Sequence, residues 1–316
     1  MRVRAALLSA VCGLVFGLSP GAGARPPVAM VARVPYGNGL ALDRYEPAAL
    51  ADDAPVVVLV HGCCGDGRDT AGMARALARR GALVLNPDVG ALAEGGGWPA
   101  SYEAVACAVL TADAVAGRLA GGPHPVALVG WSEGAMVGAA VTLGWPEIAP
   151  APGTCTDRVD APGDGPDLLI GLGGYYGWDE PGVPPDLVTD RTITWFGAPP
   201  DADPDAWDKG NPRWWVRRAR DLPPVRLITR PGDTQAAGFE SDLLARGADV
   251  TVTIIDGVSH LGLIQPRDVA GAGALAAVAD ALDLPTRAPR PQSTDTTAPS
   301  LRREMRPSFR NTFRRW

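Results

Sequence analysis

The sequence predicts an α/β fold, a mostly parallel, doubly wound sheet with helices on both faces. Two observations predict it. Short apolar runs rich in β-branched residues recur at Pro55–Val60, Ala82–Asn86, Val126–Val129, Asp167–Leu172, Val225–Thr229 and Val250–Asp256. Runs of that kind, without polar alternation, belong to strands buried on both faces. Between most of them lie stretches of helical periodicity or Ala-rich composition, and strand–helix–strand alternation builds parallel βαβ units.

The first 24 residues stand apart from this pattern. Arg2 and Arg4 precede an apolar run, Ala5 to Leu18, followed by Ser19-Pro20 and Ala22-Gly23-Ala24. A basic start, a short apolar stretch and an A-x-A end describe a secretory signal peptide cleaved near Ala24, which makes the mature protein secreted or periplasmic. That run is short for a bilayer span, and no other stretch is long and apolar enough for a transmembrane helix. Residues 25–284 read as one large domain. Residues 285–316 have eight arginines against Asp295 and Glu304 and no periodicity, the signature of a disordered basic Pro/Arg-rich tail. With a formal net charge of −6 for the whole chain, the body is therefore more acidic than the total, which argues against nucleic-acid binding.

Within the body, Val31–Val34 and Leu40–Tyr45 read as edge strands. After the strand Pro55–Val60 comes the glycine-rich loop His61–Gly67, then a helix over Asp69–Arg80 that Gly81 stops. A helix over Ser101–Leu119 has Ser101 as its expected N-cap and Val105, Val109 and Val115 on its buried side. Trp145–Gly165 is a Pro-, Gly- and Asp-rich loop, and Gly173–Trp215 is weakly periodic but rich in Trp and Tyr. Helices over Ala236–Arg246 and Ala270–Leu282 complete the domain. Past the signal, four cysteines remain: Cys63, Cys64, Cys107 and Cys155. An oxidising compartment favours two disulfides. A bridge between neighbours Cys63 and Cys64 is strained, so bonds from these two to Cys107 and Cys155 are expected.

The stretch around Ser132 carries the chemistry. Gly130-Trp131-Ser132-Glu133-Gly134 is a G-x-S-x-G sequence set between a strand and an Ala-rich helix. Glycines two before and two after a serine allow a sharp turn that projects the hydroxyl from the strand's end. A serine needs a base to take its proton and a third group to orient that base. Asp233 follows the strand Val225–Thr229 and His260 follows Val250–Asp256. Residues just past the carboxyl ends of parallel strands converge on one crevice. Asp256 is the other candidate acid, but orienting a histidine from across the crevice needs a neighbouring strand's loop, which favours Asp233. Oxyanion donors are expected from the amide of Glu133 and from that of Cys63 or Cys64, with His61 fixing the loop by hydrogen bonds.

Over roughly Arg33–Leu284 these motifs resemble the α/β-hydrolase superfamily: HGCCGDG, GWSEG, a late Asp233 and a late His260. From NPRWW (Asn211–Trp215) through LPPVRLITRPGD to DGVSHLGL the chain is similar to the secreted carboxylesterase and dienelactone-hydrolase-like branch. The resemblance implies an α/β-hydrolase fold, with Ser132 as nucleophile, His260 as base and Asp233 as orienting acid. It makes the amides of Glu133 and Cys63 the oxyanion hole and Gly173–Trp215 a lid-like insertion. The chain departs from the family's common patterns in having Thr229-Arg230 where His-Gly is frequent, and HGCC where HGGG or HG-aromatic is frequent.

The expected activity is hydrolysis of a small-molecule or lipid-like carboxylic ester through an acyl-enzyme. Trp131, Cys64 and Tyr175 are candidate substrate-binding residues. A peptidase or amidase on the same residues, and a catalytically inactive binding protein with a hydrolase fold, are the alternatives. No metal or cofactor motif is present: there is no phosphate loop, no dinucleotide fingerprint and no H-x-x-x-H. The sequence leaves the oligomeric state open.

Overall fold

The computed structural model describes residues 28–37, 39–63, 65–89, 97–122, 124–150, 153–155, 163–177 and 190–285. The segment expected to be a signal peptide, Cys64, Trp178 and the residues beyond Pro285 lie outside the described residues.

Eight strands form one sheet in the order β1-β2-β4-β3-β5-β6-β7-β8. They are β1 (Ala29–Gly37), β2 (Leu40–Glu46), β3 (Val56–Val60), β4 (Leu83–Pro87), β5 (Val126–Trp131), β6 (Leu168–Leu172), β7 (Val225–Thr229) and β8 (Val250–Ile254). Strand β2 pairs antiparallel with both β1 and β4, and every pairing from β4 to β8 is parallel. The chain moves from β3 outward to β4, then returns to the other side of β3 for β5. That reversal is a topological switch point, where the loops after two adjacent strands diverge and leave a crevice.

Alternate residues of the central strands feed two cores. Val56, Val58, Val60, Val126 and Leu128 pack on one face, where α2 (Ala100–Ala116), α3 (Glu133–Leu143) and α7 (Thr234–Ala245) lie. Val57, Leu59, Ala127, Val129 and Trp131 pack on the other, under α1 (Gly67–Ala78) and α8 (Val269–Ala281). Both sets are buried, which is why these strands read as unbroken apolar runs.

Three short helices, α4 (Asp190–Phe196), α5 (Pro204–Gly210) and α6 (Pro212–Val216), occupy the described part of the Trp-rich segment. Trp195, Trp207 and Trp215 are buried in the first core, so these tryptophans pack the segment onto the body. Tyr176 is buried too, stacked on Phe239 with ring centroids 4.4 Å apart.

Two expectations are corrected. Pro99, not Ser101, is the N-cap of α2; Ser101 is buried one residue inside the helix and donates to the Gly97 carbonyl at 3.1 Å. Cys107 bonds Cys155 with a Cα–Cα distance of 5.3 Å, rather than either joining Cys63 or Cys64. Cys107 faces out of α2 toward the end of β1, where Cys155 bridges Gly37, whereas Cys63 sits in the loop beyond β3. Among the described residues no helix is long and apolar enough to cross a membrane.

Candidate active site

Strand β5 ends at Trp131 and helix α3 starts at Glu133, so the chain reverses direction across the single residue Ser132. Its backbone is held at φ 57°, ψ −125°, a region L-residues rarely adopt. The Ser132 amide donates to the Leu172 carbonyl of β6 at 2.9 Å, and its own carbonyl accepts from Ala135 at 3.0 Å. The flanking glycines are required by close approach. A Cβ on Gly130 would collide with the Gly134 carbonyl, and one on Gly134 with the His61 carbonyl. The elbow is thereby wedged against the loop that follows β3.

That loop is fixed by His61, which is fully buried. Its Nδ1 donates to the Gly62 carbonyl at 2.7 Å, leaving Nε2 to accept from the Val89 amide at 3.3 Å. A Cβ on Gly62 would lie 2.9 Å from the Ser132 Cβ and 3.0 Å from the Trp131 ring, so only glycine lets this backbone pass so near the serine. Cys63, half-buried, is the next residue in that turn. Glu133 is the first residue of α3, so its amide stands at the positive end of that helix, next to Ser132.

His260 comes from beyond β8 and precedes a 3-10 turn, Leu261–Ile264. Its Nε2 lies 2.8 Å from the Ser132 Oγ. If the hydroxyl donates, that nitrogen is the unprotonated one. Burial is the largest influence on the ring and lowers its pKa below the ordinary histidine value. The Arg230 guanidinium lowers it further, and Asp233 opposes both. Arg230 itself is exposed on the loop after β7.

Asp233 does not hydrogen-bond His260. One carboxylate oxygen accepts from the Thr229 hydroxyl at 2.5 Å, and the other caps α7 through the Gln235 amide at 3.2 Å. Each oxygen retains a further lone pair, and the negative charge still acts on the imidazole. Asp256 is exposed.

The substrate-binding candidates separate. Trp131 is buried; its indole N–H donates to the His260 carbonyl at 3.0 Å and its ring lies 5.3 Å from the imidazole, so it stands behind the histidine instead of lining open space. Tyr175 is exposed in the loop after β6, beside Gly173 and Gly174. Cys64 lies outside the described residues. Sequence reasoning missed Gly173, where a Cβ would come within 3.1 Å of the His260 Nδ1, and the field of Arg230. The only signal for the first was a Gly-Gly pair directly after a strand. Among the described residues no cluster of His, Cys, Asp and Glu could hold a metal ion.

A family model described as the alpha/beta hydrolase family matches residues 57–272. No curated protein matches the chain. Among solved structures, a truncated carbohydrate esterase from gut microbiota aligns with a TM-score of 0.68 at 16% identity, covering 82% of this chain and 96% of that one. Esterase B from Lactobacillus rhamnosis aligns at 0.63 with 20% identity, covering 81% and 86%. A thermostable esterase from Pseudomonas putida aligns at 0.59 with 18% identity, covering 81% of each chain. At these identities the likeness is one of fold.

Proposed function

The chain belongs to the alpha/beta hydrolase family, and from that premise we propose that it is a secreted serine hydrolase cleaving carboxylic esters. The observation that carries this reading is the 2.8 Å contact between His260 Nε2 and a serine hydroxyl on a strained elbow. Ser132 attacks the ester carbonyl while His260 takes its proton. His260 then returns the proton to the leaving alcohol, and an acyl-Ser132 remains. Water, deprotonated by the same histidine, releases the acid. The oxygen that gains charge is held by the amides of Glu133 and Cys63. Asp233 offsets the positive charge that His260 acquires at each transfer.

Esters, rather than amides, are favoured because the solved structures of like fold are described as esterases. Export rests on the basic, apolar and A-x-A sequence of the first 24 residues, and the Cys107–Cys155 disulfide suits an oxidising compartment. The test is labelling with a fluorophosphonate probe, with heat-denatured protein as control. Label on Ser132 in folded protein alone is expected. Ser132→Ala should lose ester turnover by roughly 10⁴–10⁶-fold while keeping its melting temperature. A folded Ser132→Ala protein that still turned over ester would refute the assignment.

A further inference from the structure

Trp131 is adjacent in sequence to the serine, yet none of its polar capacity is directed at a substrate. It is the last residue of β5 and falls on the same face as Ala127 and Val129, so strand periodicity drives the indole into the core beneath α1 and α8. Leu263 and Ile264, from the turn that carries His260, are in that same core. The indole therefore meets three parts of the site at once. Its benzo edge, Cε3 and Cζ3, is the surface that a Cβ on Gly62 would strike, at 3.0 and 3.1 Å. Its Nε1–H donates to the main-chain carbonyl of His260 at 3.0 Å. Its plane lies at 33° to the imidazole, with centroids 5.3 Å apart.

We propose that Trp131 is a positioning residue, a rigid strut that holds the backbone of His260 at a set distance from the Ser132 elbow and from the Gly62 loop. The inference rests on the catalytic reading of Ser132 and His260. The physical case is that the turn is anchored beyond His260, by Leu263 and Ile264 in the core and by the Gly262 amide donating to the Ser259 hydroxyl. The indole, by contrast, ties the main chain of His260 itself. That residue sits between a loop and a one-turn 3-10 helix, and no side-chain hydrogen bond from Asp233 fixes its ring. A displacement of about 1 Å between base and nucleophile is enough to cost a large part of the rate. A hydrogen bond to the histidine's own carbonyl restrains the residue at its main chain, where a bond to the ring alone would leave the backbone free to drift. The indole suits the task because it is flat, has few rotatable bonds and carries one donor at a fixed angle.

The experiment replaces Trp131 with benzothienylalanine, in which sulfur takes the place of the indole N–H and the shape is kept. The same replacement at Trp207 serves as a matched control. Trp207 is buried in α5 and donates to the Ala198 carbonyl at 2.8 Å, so it loses an equivalent bond away from the site. At Trp131 the expected result is a fall of about tenfold in kcat and in the rate of fluorophosphonate labelling, with KM unchanged, as one hydrogen bond's effect on a barrier. At Trp207 kcat should stay at the wild-type value. Trp131→Phe should reproduce the loss of kcat. An unchanged kcat at position 131, or a raised KM with kcat intact, would overturn the proposal, the second outcome making Trp131 a pocket wall. Failure of the catalytic reading looks different: wild-type protein would neither turn over ester nor take the label.

Discussion

At Ser132 the backbone carries strain that only the surrounding contacts sustain. Two glycines, the Leu172 carbonyl and the His61 loop hold the residue at φ 57°. His260 meets it with a pKa below the ordinary histidine value, since burial and Arg230 both work against protonation while Asp233 opposes them. A lowered pKa means the base form survives to pH values below the usual histidine range, so the acidic limb of kcat/KM should fall below about pH 6.5. Arg230→Gln removes one of the two lowering influences and should move that limb upward in pH, with the alkaline side unaffected. A pH–rate profile of the variant checks it, and a shift in the opposite direction would mean that Arg230 does not act on the base.

At the level of elements, helix α2 carries an unusual load. It is buried on most sides, and Asp113 near its end has a carboxylate oxygen without a hydrogen-bond partner. Burial, then the charges of Asp167 and Asp164, raise its pKa to about 7. The folded protein thus keeps a proton that the unfolded chain releases near pH 4. Stability is fully present below that value and declines as pH rises toward about 7. Asp113→Asn should remove the decline, gaining ~1–2 kcal/mol at neutral pH after allowance for solvent screening, and nothing at pH 4. Denaturant melts at the two pH values would show it, and an equal effect at both would contradict the assignment. Helix α3 behaves otherwise. It is almost wholly buried, and it orients the amide of Glu133 because β5 feeds it directly from the sheet.

For the whole molecule, the Cys107–Cys155 bridge ties α2 to a distant segment across 48 residues of chain. Replacing both cysteines by alanine should cost about 2–4 kcal/mol in chain entropy, measurable as a lower melting temperature. Ester turnover at low temperature should be retained, because the bridge lies against the end of the edge strand β1 and Ser132 follows β5. Protein made in a reducing cytoplasm should show the same deficit. Much of this architecture is legible in the sequence alone. The β-branched runs marked the strands because central parallel strands are apolar on both faces, and the spacing of Gly130 and Gly134 marked the elbow because a tight turn tolerates no side chains there. Position past a strand end singled out Asp233 and His260. Three things were decided only in three dimensions. Which cysteines pair depends on the face of α2 that Cys107 occupies, and periodicity alone did not match that face to Cys155. Which tryptophans pack rather than bind depends on how α5 and α6 close onto α3 and α7. Whether Asp233 touches His260 or spends its oxygens on Thr229 and the start of α7 is set by loop geometry. Local sequence encodes which way a chain turns and which side is apolar; the partner that a side chain meets across the fold is fixed by packing, where every contact depends on all the others.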